Sequence, residues 1–92
     1  MKSMRSKTAF PLGQVVITCH ALGQLHPEDV HNALRRHARQ DWGNVSPDDW
    51  AENDLSFKEG SRLLSSYCDR NERAFWIITE AGLTTVLLPE DY

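Results

Sequence analysis

Four histidines, His20, His26, His31 and His37, and two cysteines, Cys19 and Cys68, are the side chains best suited to binding a metal or moving a proton. A helical metal pair needs imidazoles three or four residues apart, so that both face one side. His31 and His37 are six apart, and His26 falls where a helix should begin. The spacing offers no pair, and no metal or other cofactor is expected. The cysteines are not at metal spacing and read as two reduced, mostly buried thiols. His37 stands seven residues after Val30, on the face that a helix there turns toward a sheet. It reads as a satisfied, partly buried histidine that fixes the Asp41-Trp42-Gly43 loop. As a catalytic base it lacks an evident nucleophile.

Acids are more concentrated. Asp41, Asp48, Asp49, Glu52, Asp54 and Glu59 stand against Lys58 alone within nineteen residues. Paired carboxylates can hold magnesium in nucleases, but the basic residues that would receive a phosphate are missing from this stretch. Helix-start acids and a solvated face account for some of them. The alternative is an acidic docking surface that imitates nucleic acid or meets a basic partner. Trp42 and Trp50 flank this region and read either as core filling or as interface anchors; Trp76 reads as core or sheet face. The candidate partner-binding set is therefore Asp41, Trp42, Asp48, Asp49, Trp50, Glu52 and Asp54, with no catalytic residues assigned.

Charge sets a further bound. The net charge is −3, and Lys2, Arg5 and Lys7 are all positive. Removing those three leaves −6 for residues 9–92. So acidic a body argues against direct nucleic-acid binding, which needs a basic face, and favours a protein partner with a basic surface. Arg35, Arg36, Arg39, Arg62, Arg70 and Arg73 could form a basic strip, and a small α+β domain is similar to ribosome-dependent toxin nucleases. Such enzymes need a strongly basic groove for RNA, against which the pI of 5.7 weighs.

The elements that position these residues follow from local signals. Ninety-two residues suit one domain, and no apolar run approaches the ~20 residues of a membrane helix. The N-terminus leads into no hydrophobic signal core, so a cytoplasmic location is expected. Residues 1–9 read as a flexible basic tail and 10–92 as a single α+β domain. Val15–Ile17 predicts a short buried strand, and the residues to Leu25 are ambiguous. Pro27 to about Arg39 predicts an amphipathic helix, with Glu28 and Asp29 at its positive end. Ser46 caps a second helix that Gly60 ends. Arg62–Cys68, Ala74–Thr79 and Thr84–Leu88 predict an antiparallel meander, its last turn a tight hairpin at Ala81-Gly82. The expected fold is a small antiparallel sheet, the meander plus an N-terminal strand, covered by two helices. The expected core is Trp76, Ile77, Ile78, Val86, Leu87, Leu88, Val15, Ile17, Leu34 and Leu64. Consecutive apolar residues in these strands leave open which face is covered, and one face can belong to a partner.

Three segments carry a resemblance. They are Leu12-Gly13-Gln14-Val15-Val16 with Ala21-Leu22; Arg36-His37 through Asp41-Trp42-Gly43, Asp49, Asn53 and Gly60 to Arg62-Leu63-Leu64-Ser65-Ser66-Tyr67; and Trp76-Ile77-Ile78-Thr79-Glu80-Ala81 followed by Thr84 to Tyr92. Together they resemble a family of small plasmid-related bacterial proteins encoded on plasmids and genomic islands. The family's longer polar connection between the last two strands shrinks here to Ala81-Gly82-Leu83. The resemblance implies an accessory protein of a mobile genetic element and carries over no catalytic residue. Joined to the acidic body, it leads to a non-enzymatic protein-binding module that inhibits a host nucleic-acid-targeting defence complex, of anti-CRISPR or anti-restriction type. An RNA-cleaving toxin of a toxin–antitoxin system is the enzymatic alternative. A regulatory or structural homo-oligomer, such as a homodimer paired through an exposed sheet edge, is the third.

Overall fold

The local capping signals become the helix boundaries. In the computed structural model, which describes residues 10–92, His26 Nδ1 accepts the Glu28 N–H at 3.2 Å and starts the helix Pro27–His37. Before it lies α1, Cys19–Gln24, capped by Thr18 Oγ1 on the Ala21 N–H; Pro27–His37 is α2. Buried Ala21 and Leu25 hold α1 in place, whereas Leu22 is exposed. Ser46 Oγ accepts the Asp49 N–H at 3.1 Å and opens α3, Pro47–Glu59. Gly60, at φ 73°, closes α3 in the left-handed region, and the N–H groups of Gly60 and Ser61 bond back to Phe57 and Ser56. The basic tail assigned to residues 1–9 lies outside the described residues.

Four strands, β1 Gln14–Ile17, β2 Leu63–Cys68, β3 Ala74–Glu80 and β4 Leu83–Leu87, form one sheet in the order β1-β4-β3-β2. The fold is α+β, and the C-terminal meander is antiparallel. Glu80 pairs with Leu83 across Ala81 and Gly82, whose φ angles of 52° and 79° are both positive, the pattern of a two-residue type I′ turn. The N-terminal strand departs from expectation. β1 runs parallel to β4, Gln14 opposite Leu83 and Ile17 opposite Val86, so the sheet is mixed. The long path from β1 through three helices to β2 leaves its direction unconstrained by any hairpin.

Burial alternates along β3, as expected of a sheet with one covered face. Tyr67, Phe75, Ile77 and Val86 pack against Ala21 and Leu25 around α1 and Val30 and Ala33 of α2, with Leu88 closing the cluster. On the other face Leu64, Trp76, Ile78 and Thr85 are half-buried, and Trp76 meets the Tyr92 ring edge-on at 5.6 Å. The expected core is corrected accordingly. Ile77, Val86, Leu87 and Leu88 are buried, but Trp76, Ile78, Ile17, Leu34 and Leu64 are only half so, and Val15 is 44% exposed. The helical cover is corrected too: α1 and α2 cover one face, while α3 lies along the outer edge of β2. Both cysteines are free and exposed rather than buried.

Candidate functional site

The outer edge of β2 is where α3 is attached. Backbone groups of Leu64 and Ser66 point away from β3 and would be unpaired at an ordinary edge. The loop before α3 takes one of these residues: Trp42 O accepts the Ser66 N–H at 3.1 Å, and the Asn44 N–H donates to Ser66 O at 2.7 Å. The Asn53 carboxamide takes the other, donating from Nδ2 to Leu64 O at 2.6 Å and accepting the Leu64 N–H at 3.1 Å. One side chain thus does the work of a strand residue. Gly43, between the two loop contacts, sits at φ 74°, and a Cβ there would overlap Ser66 O and the Tyr67 ring. Residue-type reasoning gave Asn53 no role. The available signal was its position, three residues after Trp50 and four before Phe57, a polar group on the helix's apolar face.

The seven sequence-selected residues separate into two groups. Trp42 is fully buried and cannot anchor a partner. Its ring packs edge-on against His37 at 5.6 Å and stacks with Phe10 at 6.4 Å, and its indole N–H donates to Asp54 Oδ1 at 2.9 Å. Asp54 is thereby committed to the fold. Asp41 is committed as well: both carboxylate oxygens take Arg36, at 2.8 and 3.2 Å, and Oδ1 also accepts the Gly43 N–H. The Arg36 guanidinium holds the Asp41 carboxyl below its usual range. The misassignment of Trp42 has a plain cause, since a loop tryptophan beside acids reads the same whether it points in or out.

The remaining four stay on the surface. Asp48, Asp49 and Glu52 are exposed on α3, Trp50 is half-buried, and no ion pair among the described residues involves the three acids. Two grooves flank the helix and share Val45. One, of about 530 Å³, is walled by Val45, Pro47, Trp50 and Ala51 with Asp54 at its side. The other, of about 390 Å³, is lined by Asp49, Glu52, Asn53 and Leu64 among others. Trp50 thus lines the groove on one side of α3, and Asp49 and Glu52 line the groove on the other.

His37 lies inside the molecule, fully buried. A chain of side-chain hydrogen bonds crosses the sheet through it, from Ser65 Oγ to His37 Nδ1, from His37 Nε2 to Thr79 Oγ1 at 2.9 Å, and on to Thr84 Oγ1 at 2.7 Å. The chain ends at the Leu12 carbonyl, which can only accept. Thr84 must therefore donate to Leu12, Thr79 to Thr84, and His37 from Nε2 to Thr79. The neutral imidazole is left with an unprotonated Nδ1 that takes the Ser65 hydroxyl proton. Burial pushes the His37 pKa down to about 4. The group that sequence reading marked as a satisfied histidine is one, more deeply placed than expected.

Of the six arginines on which the nuclease reading depends, three are held in separate ion pairs. Arg36 holds Asp41, Arg70 holds Asp29 and Glu28, and Arg73 holds Glu90. Arg62 bonds the Tyr92 hydroxyl and lies over its ring. Among the described residues no cluster of three or more His, Cys, Asp or Glu side chains could hold a metal ion, and no helix is long and apolar enough to cross a membrane. Comparison with known protein families, curated protein sequences and solved structures finds no match.

Proposed function

We propose that this chain is a non-enzymatic protein-binding module that docks a basic partner surface through α3. The observation that carries this reading is that one helix, α3, exposes Asp48, Asp49 and Glu52, unpaired among the described residues, together with half-buried Trp50, which lines an apolar groove on one side of the helix while Asp49 and Glu52 line a second groove on the other. A half-buried tryptophan bordered by charge resembles the anchor-and-rim arrangement of protein interfaces. The acids would steer a basic partner and fix its register, and association should weaken as salt rises. The partner's nature is taken from the sequence resemblance to plasmid-related proteins: a subunit of a nucleic-acid-targeting defence complex, whose basic channel the acids of α3 would occupy. Fold supplies no support for that step, since function resides in sites rather than folds.

The test is retention of such a subunit from a bacterial lysate by the tagged protein and by Asp48→Lys/Asp49→Lys/Glu52→Lys. Asp48 and Asp49 are first-turn acids that complement the helix dipole and Glu52 is exposed on the next turn, so the reversal should cost about 1 kcal/mol of stability in total, and circular dichroism should show a folded variant. Wild-type protein should retain the complex and the reversed variant should release it. Undiminished capture by the folded variant would overturn the reading.

A further inference from the structure

At the end of the sheet opposite α3, charge disappears. From Ala9 to Pro27 the sequence contains no Lys, Arg, Asp or Glu, in a chain that is 25% charged. β1 and α1 lie within this stretch. Exposed large apolar side chains gather at the same place: Val15 at 44% and Val16 at 37% on β1, Leu22 at 63% on α1, and Leu83 at 41%, which pairs with Gln14. Asp91 reaches the stretch only beyond the strand, at Thr18 and His20, and Asp69 only at the His26 N–H.

The N–H groups of Gln14 and Thr18 bond Gly82 and Val86. By the two-residue period of a strand, Val15 and Ile17 turn their N–H and C=O groups away from the sheet. None of the usual edge protections, a lysine, a proline or an inward-pointing charge, occurs within Gln14–Ile17.

We infer that β1 pairs with β1 of a second copy, antiparallel, to make a continuous eight-stranded sheet. The outward groups set the register: Val15 of one copy faces Ile17 of the other in two hydrogen-bonded pairs, and Val16 meets Val16 on the two-fold axis. A second copy fits better than a foreign basic protein, because among the described residues this edge offers no acid for such a partner to match. The pairing also keeps the acidic α3 regions at the two far ends of the joined sheet. It closes at two copies, since each remaining edge is a β2 sealed by Trp42–Asn44 and Asn53. A four-residue strand gives an interface at the small end of the known range, so association in the micromolar range is expected. The dimer stands apart from the proposed function and would present α3 twice.

Sedimentation velocity and light scattering of the full chain from about 1 µM to 1 mM should show a monomer passing to a dimer and nothing larger. Val16→Lys sets like charges directly opposite at the axis and should raise the dissociation constant at least about tenfold, with the thermal melt little changed. Val16→Cys, in a Cys19→Ser/Cys68→Ser background, should cross-link to a dimer under mild oxidation. Asp48→Lys/Asp49→Lys/Glu52→Lys should leave the dimer intact, which separates failure of this interface from failure of the α3 site. A monomer at every concentration, a dimer that Val16→Lys leaves unchanged, assemblies larger than two, or no cross-link from folded Val16→Cys would each overturn the pairing.

Discussion

At the β2 edge the outward backbone groups of Leu64 and Ser66 all have partners, supplied by a glycine-bearing loop and one asparagine. At the β1 edge those of Val15 and Ile17 have none among the described residues, and the side chains around them are apolar and uncharged. An edge can therefore be closed without a strand, by groups that reproduce the hydrogen-bonding geometry of one. The contrast also separates two kinds of surface. The sealed end leaves α3 free to present charge, and the open end has backbone pairing to offer but no charge.

The largest effect is expected where the sealed edge is tightest. Gly43→Ala combines a left-handed φ with overlap of the new Cβ on Ser66 O. Neither the backbone oxygen nor the Tyr67 ring can yield without breaking the pairing of Trp42 and Asn44 with Ser66. The cost should be on the order of 4 kcal/mol, enough to unfold a marginal domain, measured as a lowered urea midpoint or loss of the folded circular-dichroism signal. A midpoint within error of wild type would mean the loop does not close this edge.

The buried chain through His37 joins the two ends, from Ser65 on β2 to the Leu12 carbonyl ahead of β1. Its pH dependence has a fixed sign. The unfolded chain, with an imidazole pKa near 6.5, binds a proton that the folded protein refuses until about pH 4. Stability is intact above pH 6.5 and falls as pH drops through that window, by about 3 kcal/mol in full. Urea midpoints between pH 7.5 and 4 should show the decline, and His37→Gln should flatten it while lowering the plateau. A wild-type midpoint constant across this range would place a solvent path to the ring.

What could be read from the sequence was what neighbours in the chain decide. Ser46 with Pro47, Pro27, Gly60 and the Ala81-Gly82 turn each act within a few residues, and the structure has each where it was expected. The partners of His37 lie 28 and 42 residues away, and Asn53 meets Leu64 across a loop. No periodicity encodes such meetings. Trp42 and Trp50 differ in burial for the same reason: the loop carrying Trp42 is drawn onto β2 by hydrogen bonds of its backbone, which side-chain identity does not announce. Among the candidate residues, helix position kept Asp48, Asp49 and Glu52 outside, whereas long-range bonding took Asp41 and Asp54 into the fold.

The smallest effect concerns the hairpin that supports the open edge. Among the described residues β1 pairs only with β4, and the Gln14 N–H bonds Gly82 O in the turn itself, so the turn geometry sets where β1 begins. Ala81 occupies the left-handed region at φ 52°, which costs a non-glycine residue about 1 kcal/mol. Asparagine tolerates that region and is favoured at the first position of a type I′ turn. Ala81→Asn should therefore stabilise the protein by roughly 0.5–1 kcal/mol, read as a rise of a few degrees in Tm. Gly82→Val should do the reverse by about 1–2 kcal/mol. A Cβ at Gly82 meets no atom within 4 Å, so that loss would report backbone strain and not a clash. If both variants melt with the wild type, the turn is not fixed in this conformation, and the register that gives β1 its outward-facing Val15 and Ile17 loses its support.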